Sequence, residues 1–193
     1  LRIPHTEYDL VVEDIAKLMQ NMFQADKNIG KDEELSKKIV ILDENEMSHL
    51  LCGFPNLIGL GREIPAVYVS VLLQQDAVCP YIDVAQEYGL SGDVCPMPEA
   101  EAADDFPIFG ACAIQCNTTC DGSMMGNGIM ARRLEGEHGI PCFQLAAPMR
   151  HTEDGVQEYA AQEIRNAIKF IEDCTGEKWD WDAYFECAKR FNA

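Results

Sequence analysis

Three cysteines recur at a regular interval in mid-chain: Cys112, Cys116 and Cys120, a C-x3-C-x3-C run inside ACAIQCNTTCDGSMMGNG. Thiolates can ligate a metal ion or act as nucleophiles. On a helix these three would line one face. The surrounding FPIFGACAIQCNTT has extended character, so Cys112 and Cys116 are expected to share one face of a strand without meeting at a common metal. A structural zinc site uses paired C-x2-C units and a thioredoxin-type centre uses C-x-x-C, and neither spacing occurs here. A Cys–His pair is the other chemical option, with His5, His49, His138 and His151 as candidates. His151 follows a strand-like run and could approach the rim near Cys120, as could Ser123, although a surface place for His151 is the more ordinary reading. No Walker loop, G-x-S-x-G elbow or H-E-x-x-H helix is present, and the glycines of DGSMMGNG do not have dinucleotide-binding spacing.

These thiols need a frame. The run around Cys112–Cys116 predicts a strand ending near Cys116. Asp121 is placed to cap a helix formed by GSMMGNGIMARRLE, and after Gly139 the run IPCFQLA predicts a second strand. Strand, helix and strand in succession make a βαβ unit with parallel strands and a right-handed crossover. Cys116 and Cys120 then fall at the carboxyl end of a strand, where open parallel sheets bind ligands. They also precede a helix N-terminus, whose partial positive charge favours a thiolate.

Around this unit, PAVYVSVLL (65–73) predicts a buried strand, and IDVAQEYGL (82–90) a short helix stopped by Gly89. Residues 8–25 carry Leu10, Ile15, Leu18, Met19, Met22 and Phe23 at helical spacing. Residues 31–51 are expected to be helical in part, and a glycine-punctuated loop runs from Gly53 to Gly61. A long helix is predicted from Thr152 to about Cys174 with Gly176 as its C-cap, then a last helix WDAYFECAKRF capped by Asp180. The expected fold is α/β: an open, mostly parallel sheet with flanking helices, Rossmann- or flavodoxin-like, with helical terminal arms. Residues 1–60 form a helical N-terminal arm and 61–193 the α/β domain.

The bulk numbers bound the partners. The 193 residues suffice for one domain with a real core. Fifteen basic and 33 acidic residues give a net charge of −18, which argues against a nucleic-acid partner because phosphate backbones need a basic face. No run approaches the ~18 apolar residues of a membrane span, and LRIPHTEYDL lacks the character of a signal peptide. The nine cysteines are odd in number and do not read as a disulfide framework; a reducing, cytoplasmic setting is expected. Cys142, Cys174 and Cys187 read as small apolar fillers.

The order of segments then carries a resemblance. YIDVAQEYGLSGDVCPMPEAEA, CNTTCDGSMMGNG, IPCFQLAAP and QEYAAQEIRNAIKFIEDCTGEKWDWDAYFECAKRFN together resemble the iron–sulfur subunits of the 2-hydroxyacyl-CoA dehydratase and benzoyl-CoA reductase superfamily, over roughly residues 60–192. The shared features are a Gly-Asp-x-Cys-Pro loop, a Cys-Asp-Gly after a strand, a strand ending in Ala-Pro, and a helix ending in Thr-Gly before another helix. The resemblance implies a subunit of two α/β domains that pairs with a homologous dehydratase subunit. It implies a [4Fe–4S] cluster held by three cysteines, and an ATP-dependent iron–sulfur activator that injects one electron. The implied reaction is radical elimination of water from an (R)-2-hydroxyacyl-CoA, a lyase activity. Carried over by position, Cys95 and Cys120 are the cluster ligands, with Cys79 and Cys116 as alternatives. A third ligand is expected on a second α/β domain. A benzoyl-CoA reductase-type subunit and a non-catalytic scaffold of the same fold are the competing readings.

Overall fold

A computed structural model describes residues 32–43, 45–62, 82–95, 98–99, 102, 108–117, 120–148, 150 and 152–191. The predicted strand 65–73 and the N-terminal helix 8–25 lie outside the described residues, as do Cys79 and His151.

Among the described residues, four parallel strands form one sheet in the order β2-β1-β3-β4. They are β1 (Ile39–Leu42), β2 (Ile58–Gly61), β3 (Cys112–Cys116) and β4 (Cys142–Leu145). All residues of β1 and β3 are buried, as expected of central strands covered on both faces. Helices among the described residues include the single turn α1 (Glu33–Ser36), α2 (82–87), α3 (Asp121–His138), α4 (Val156–Thr175) and α5 (Trp181–Phe191). A 3-10 helix, Asn45–Leu51, links β1 to β2.

The βαβ unit appears as the sequence predicts: β3, α3 and β4, with Ala113 paired to Cys142 and Cys116 to Leu145. The two faces of the sheet have different cores. On one side Val40, Leu42, Cys112, Ile114 and Cys116 pack with Ala167 and Ile171 of α4. On the other, Ile41 and Ala113 pack with Met130 and Leu134 of α3. Cys112 and Cys116 therefore do share a face, the one under α4.

Three expectations are corrected. Residues 31–51 are helical in part, as expected, at α1 and the 3-10 helix, and also hold β1 at the centre of the sheet; the loop expected at 53–61, however, contains β2. Four apolar residues suffice for β1 because both its edges are paired, Ile41 with Leu60 and with Ala113. The sheet thus draws on residues ahead of the expected boundary at 60. The N-cap of α3 is Cys120, whereas Asp121 is the first helical residue; Cys120 has extended backbone angles, φ −149° and ψ 168°. Cys187 is not a simple filler, for it is disulfide-paired with Cys52, Cα–Cα 5.6 Å.

Other signals hold. Gly176 ends α4 in the left-handed region at φ 77°, and Gly89 follows α2 at φ 95°. Asp180 Oδ1 accepts from the N–H groups of Asp182 (2.8 Å) and Ala183 (3.1 Å), capping α5. Among the described residues no helix is long and apolar enough to cross a membrane.

Candidate functional site at the carboxyl edge of the sheet

In the observed strand order the chain leaves β1 toward β2 on one side and toward β3 on the other. The crevice between the carboxyl ends of β1 and β3 is the topological switch point, where open α/β sheets bind ligands. Asp43 follows β1 there, and its N–H donates to the Ile114 carbonyl at 3.1 Å. Its buried carboxylate accepts from Asn127 Nδ2 of α3 at 2.5 Å and from the Cys116 N–H at 3.4 Å. The same Asn127 amide donates to the Cys116 carbonyl at 2.6 Å. Asn127 thus joins the end of β1, the end of β3 and the middle of α3.

A second amide repeats the device one strand over. Asn117 Nδ2 donates to the Ala147 carbonyl (3.1 Å), and Asn117 Oδ1 accepts from the Ala147 N–H (2.6 Å). This reciprocal pair joins the ends of β3 and β4. Buried polar groups cost stability unless satisfied, so these side chains fix a defined rim.

Cys120 rises from that rim. It is exposed, and its Sγ accepts from the Ser123 N–H at 3.4 Å and lies 3.3 Å from Ser123 Oγ. The sulfur takes the place that a Ser or Asp oxygen takes in an ordinary N-cap. Cys95 is also exposed, on the loop after α2. That loop lies against the first two turns of α3. A Cβ on Gly122 would sit 2.9 Å from Val94 Cγ1, 3.1 Å from Pro98 Cγ and 3.6 Å from Cys120 Sγ; a Cβ on Gly126 would sit 3.0 Å from Pro98 Cβ. The two glycines permit this approach, so the segment flanking Cys95 and the thiol of Cys120 come to the same side of α3. Further along, Arg133 fastens the segment to α3. Its Nη1 donates to the Ala102 carbonyl at 2.7 Å, and its guanidinium lies 4.6 Å from the centre of the Tyr88 ring.

The other thiols have different surroundings. Cys116 is buried under α4 and Cys112 is fully buried on the same face. Burial pushes the Cys112 thiol well up, and the neighbouring Cys174 adds to this. Burial, reinforced by Glu135 and Asp43, pushes Cys142 up to about 12. Among the described residues no group of three or more His, Cys, Asp or Glu side chains is arranged to hold a metal ion. Cys95 and Cys120 are the exposed free thiols among them.

An open groove of about 330 Å³ runs along α3, lined by Leu90, Met124, Met125, Ile129 and Arg132. Met124 and Met125 are about half exposed. Asp43, Asn117 and Asn127 were not singled out from sequence. A polar residue directly after each short apolar run, Asp43 after IVIL and Asn117 after CAIQC, was the signal available.

The chain has no match among curated proteins. The profile of the 2-hydroxyglutaryl-CoA dehydratase D-component family matches residues 64–193, which include α3, β3, β4, both exposed thiols and the two last helices. With more than half of its length so matched, the chain belongs to the 2-hydroxyglutaryl-CoA dehydratase D-component family.

Proposed function

We propose that this chain works as an iron–sulfur subunit, or the first α/β domain of one, in a cytoplasmic 2-hydroxyacyl-CoA dehydratase, with Cys95 and Cys120 as two ligands of a [4Fe–4S] cluster. The observation that carries the reading is the packing of the Cys95 loop on Gly122, beside the exposed Cys120 sulfur. The donor chemistry fits: thiolates are the ordinary ligands of such clusters, and hydrogen bonds to the sulfurs tune them. Ser123 supplies two polar groups at the Cys120 sulfur. Further ligands come from outside the described residues. When bound, the cluster would supply the single electron for radical elimination of water from a 2-hydroxyacyl thioester.

This chain's own residues do the rest by position. Asn127 and Asn117 hold the strand ends, so the turn that carries Cys120 has a fixed origin. Gly122 and Gly126 let the Cys95 loop close on α3. The homologous dehydratase subunit, an ATP-dependent iron–sulfur activator and an acyl-CoA are the proposed partners, inferred from family membership.

The test is iron and acid-labile sulfide measured on the full subunit purified without oxygen. The wild type is expected to carry both, and Cys120→Ser and Cys95→Ser are each expected to lose them along with the visible absorbance. Unchanged iron in either variant would show that another thiol, Cys79 or Cys116, does that work.

A further inference from the structure

A second pair of cysteines lies away from the rim. Cys52 follows the 3-10 helix, and Cys187 sits in the second half of α5. They are paired, with a Cα–Cα separation of 5.6 Å that suits a disulfide, across 135 residues of sequence. Both are only half-buried, so small molecules can reach them.

The helix they hold is weakly seated. None of residues 181–190 is fully buried, and Trp181 and Phe185 are 59% and 55% exposed. Its cap is anchored at one point: the Asp180 N–H donates to the Gly53 carbonyl at 2.8 Å. Trp179 lies flat against Gly53, where a Cβ would come within 2.5 Å of the indole, and meets Phe54 edge-on at 5.3 Å. Asp180 and Cys187 are seven residues apart, two turns of helix, and so lie on one face. Residues 52 and 53 therefore grip α5 at two places on that face, one by a hydrogen bond and one by a covalent bond. Without the second, α5 loses its covalent tie and keeps the hydrogen bond at its first turn.

We propose that Cys52 and Cys187 form a reversible thiol–disulfide latch that fastens α5 to the turn ahead of β2, with low-molecular-weight thiols and disulfides as its exchange partners. In opening, a small thiolate attacks one sulfur of the pair, the Cys52–Cys187 bond breaks, and the departing thiolate takes a proton from water. A second small thiolate then attacks the small-molecule sulfur of the mixed disulfide, forming the small disulfide, and the protein sulfur leaves as a thiolate that takes a proton from water. The protein pair gains two electrons and two protons, and one small disulfide is released. Closing is the reverse, with the small disulfide as oxidant. Cys112 and Cys142 stand outside this exchange, because burial pushes both thiols up. The latch is independent of the cluster reading, since neither cysteine belongs to the rim.

The sequence contains two tryptophans, Trp179 and Trp181, both at the root of α5. Their emission wavelength reports on its seating. Exposed Lys178 sits just ahead of them, offering trypsin a cut at the hinge. The experiment equilibrates the full protein with reduced or oxidised glutathione. It then maps disulfides by mass spectrometry, follows tryptic cleavage at Lys178, and records the emission maximum. We expect a Cys52–Cys187 cross-link in the oxidised sample. In the reduced one we expect cleavage at Lys178 faster by about tenfold or more, with emission shifted to the red. Cys187→Ser should behave as the reduced protein in both buffers; the wild type alone decides the matter if that variant fails to fold. Absence of the cross-link, or equal cleavage and emission in the two states, overturns the latch.

Discussion

Cys116 and Cys120 are four residues apart and chemically opposite. Cys116 ends a strand with both neighbours paired, under the apolar stripe of α4; its sulfur is buried and its peptide is held by Asp43 and Asn127. Cys120 has left the sheet, caps α3 and faces solvent beside Ser123. The regular C-x3-C-x3-C spacing conceals this break, because it crosses from a strand with a period of two into a helix cap. Spacing alone is a guide to shared chemistry only within one kind of backbone.

Five experiments sharpen or break that contrast, beginning with the largest expected effect and ending with the smallest. Alkylation at pH 8 should modify the exposed Cys95 and Cys120 in the folded protein, while Cys142, its thiol pushed up to about 12 by burial, reacts far more slowly. Peptide mapping over time reads the ratio; comparable rates would mean that the α3 side of the sheet opens readily. Next, Cys112→Asp places a charge in the core under α4 and should unfold the domain or cost roughly 3–5 kcal/mol in urea titration. Cys120→Asp is its counterpart: a carboxylate is a good N-cap, so stability should change by less than about 1 kcal/mol.

Asn127→Ala removes the donor shared by Asp43 and the Cys116 carbonyl and should cost about 1–3 kcal/mol. The smallest effect concerns Glu99, which is 1% exposed and whose carboxyl is pushed up by burial. A raised folded-state value favours the protonated form. The associated stability is therefore full below the ordinary value, near about pH 4.3, and is lost as pH rises through the folded value. Glu99→Gln should melt slightly higher than wild type at pH 7.5, with the gap closing by about pH 4. A gap that persists in acid would locate the effect in packing instead.

The β3–α3–β4 unit was legible because its strands are apolar runs and its helix is bounded by a polar turn and Gly139. The Asp180 cap and Gly176 were legible for the same local reasons. β1 was not, because IVIL is only four residues long between KDEELSKK and DENE, and its strand character comes from partners distant in sequence. β2 reads IGLG, with glycine at alternate places, and looks like loop until β1 is beside it. The cap at Cys120 was assigned one residue late, because thiols are seldom counted among capping groups. Cys95 and Cys120 were singled out through resemblance; the approach of the Cys95 loop depends on Gly122 and Gly126 having no side chain, which no local pattern announces. The Cys52–Cys187 pairing joins segments 135 residues apart and has no local signal at all.

The position of β1 bears on how the chain assembles. Its apolar run is made ahead of β2, β3 and β4, and Val40 must then await Cys112, far downstream, as its partner on one edge. The β1–β2 pair alone is too small to persist in water. Sheet closure therefore requires a long loop to be drawn in before any parallel pairing rewards it, which makes folding slow and leaves a sticky segment uncovered meanwhile. Of the four described strands, β1 is made first, and its second edge stays open until β3 has followed.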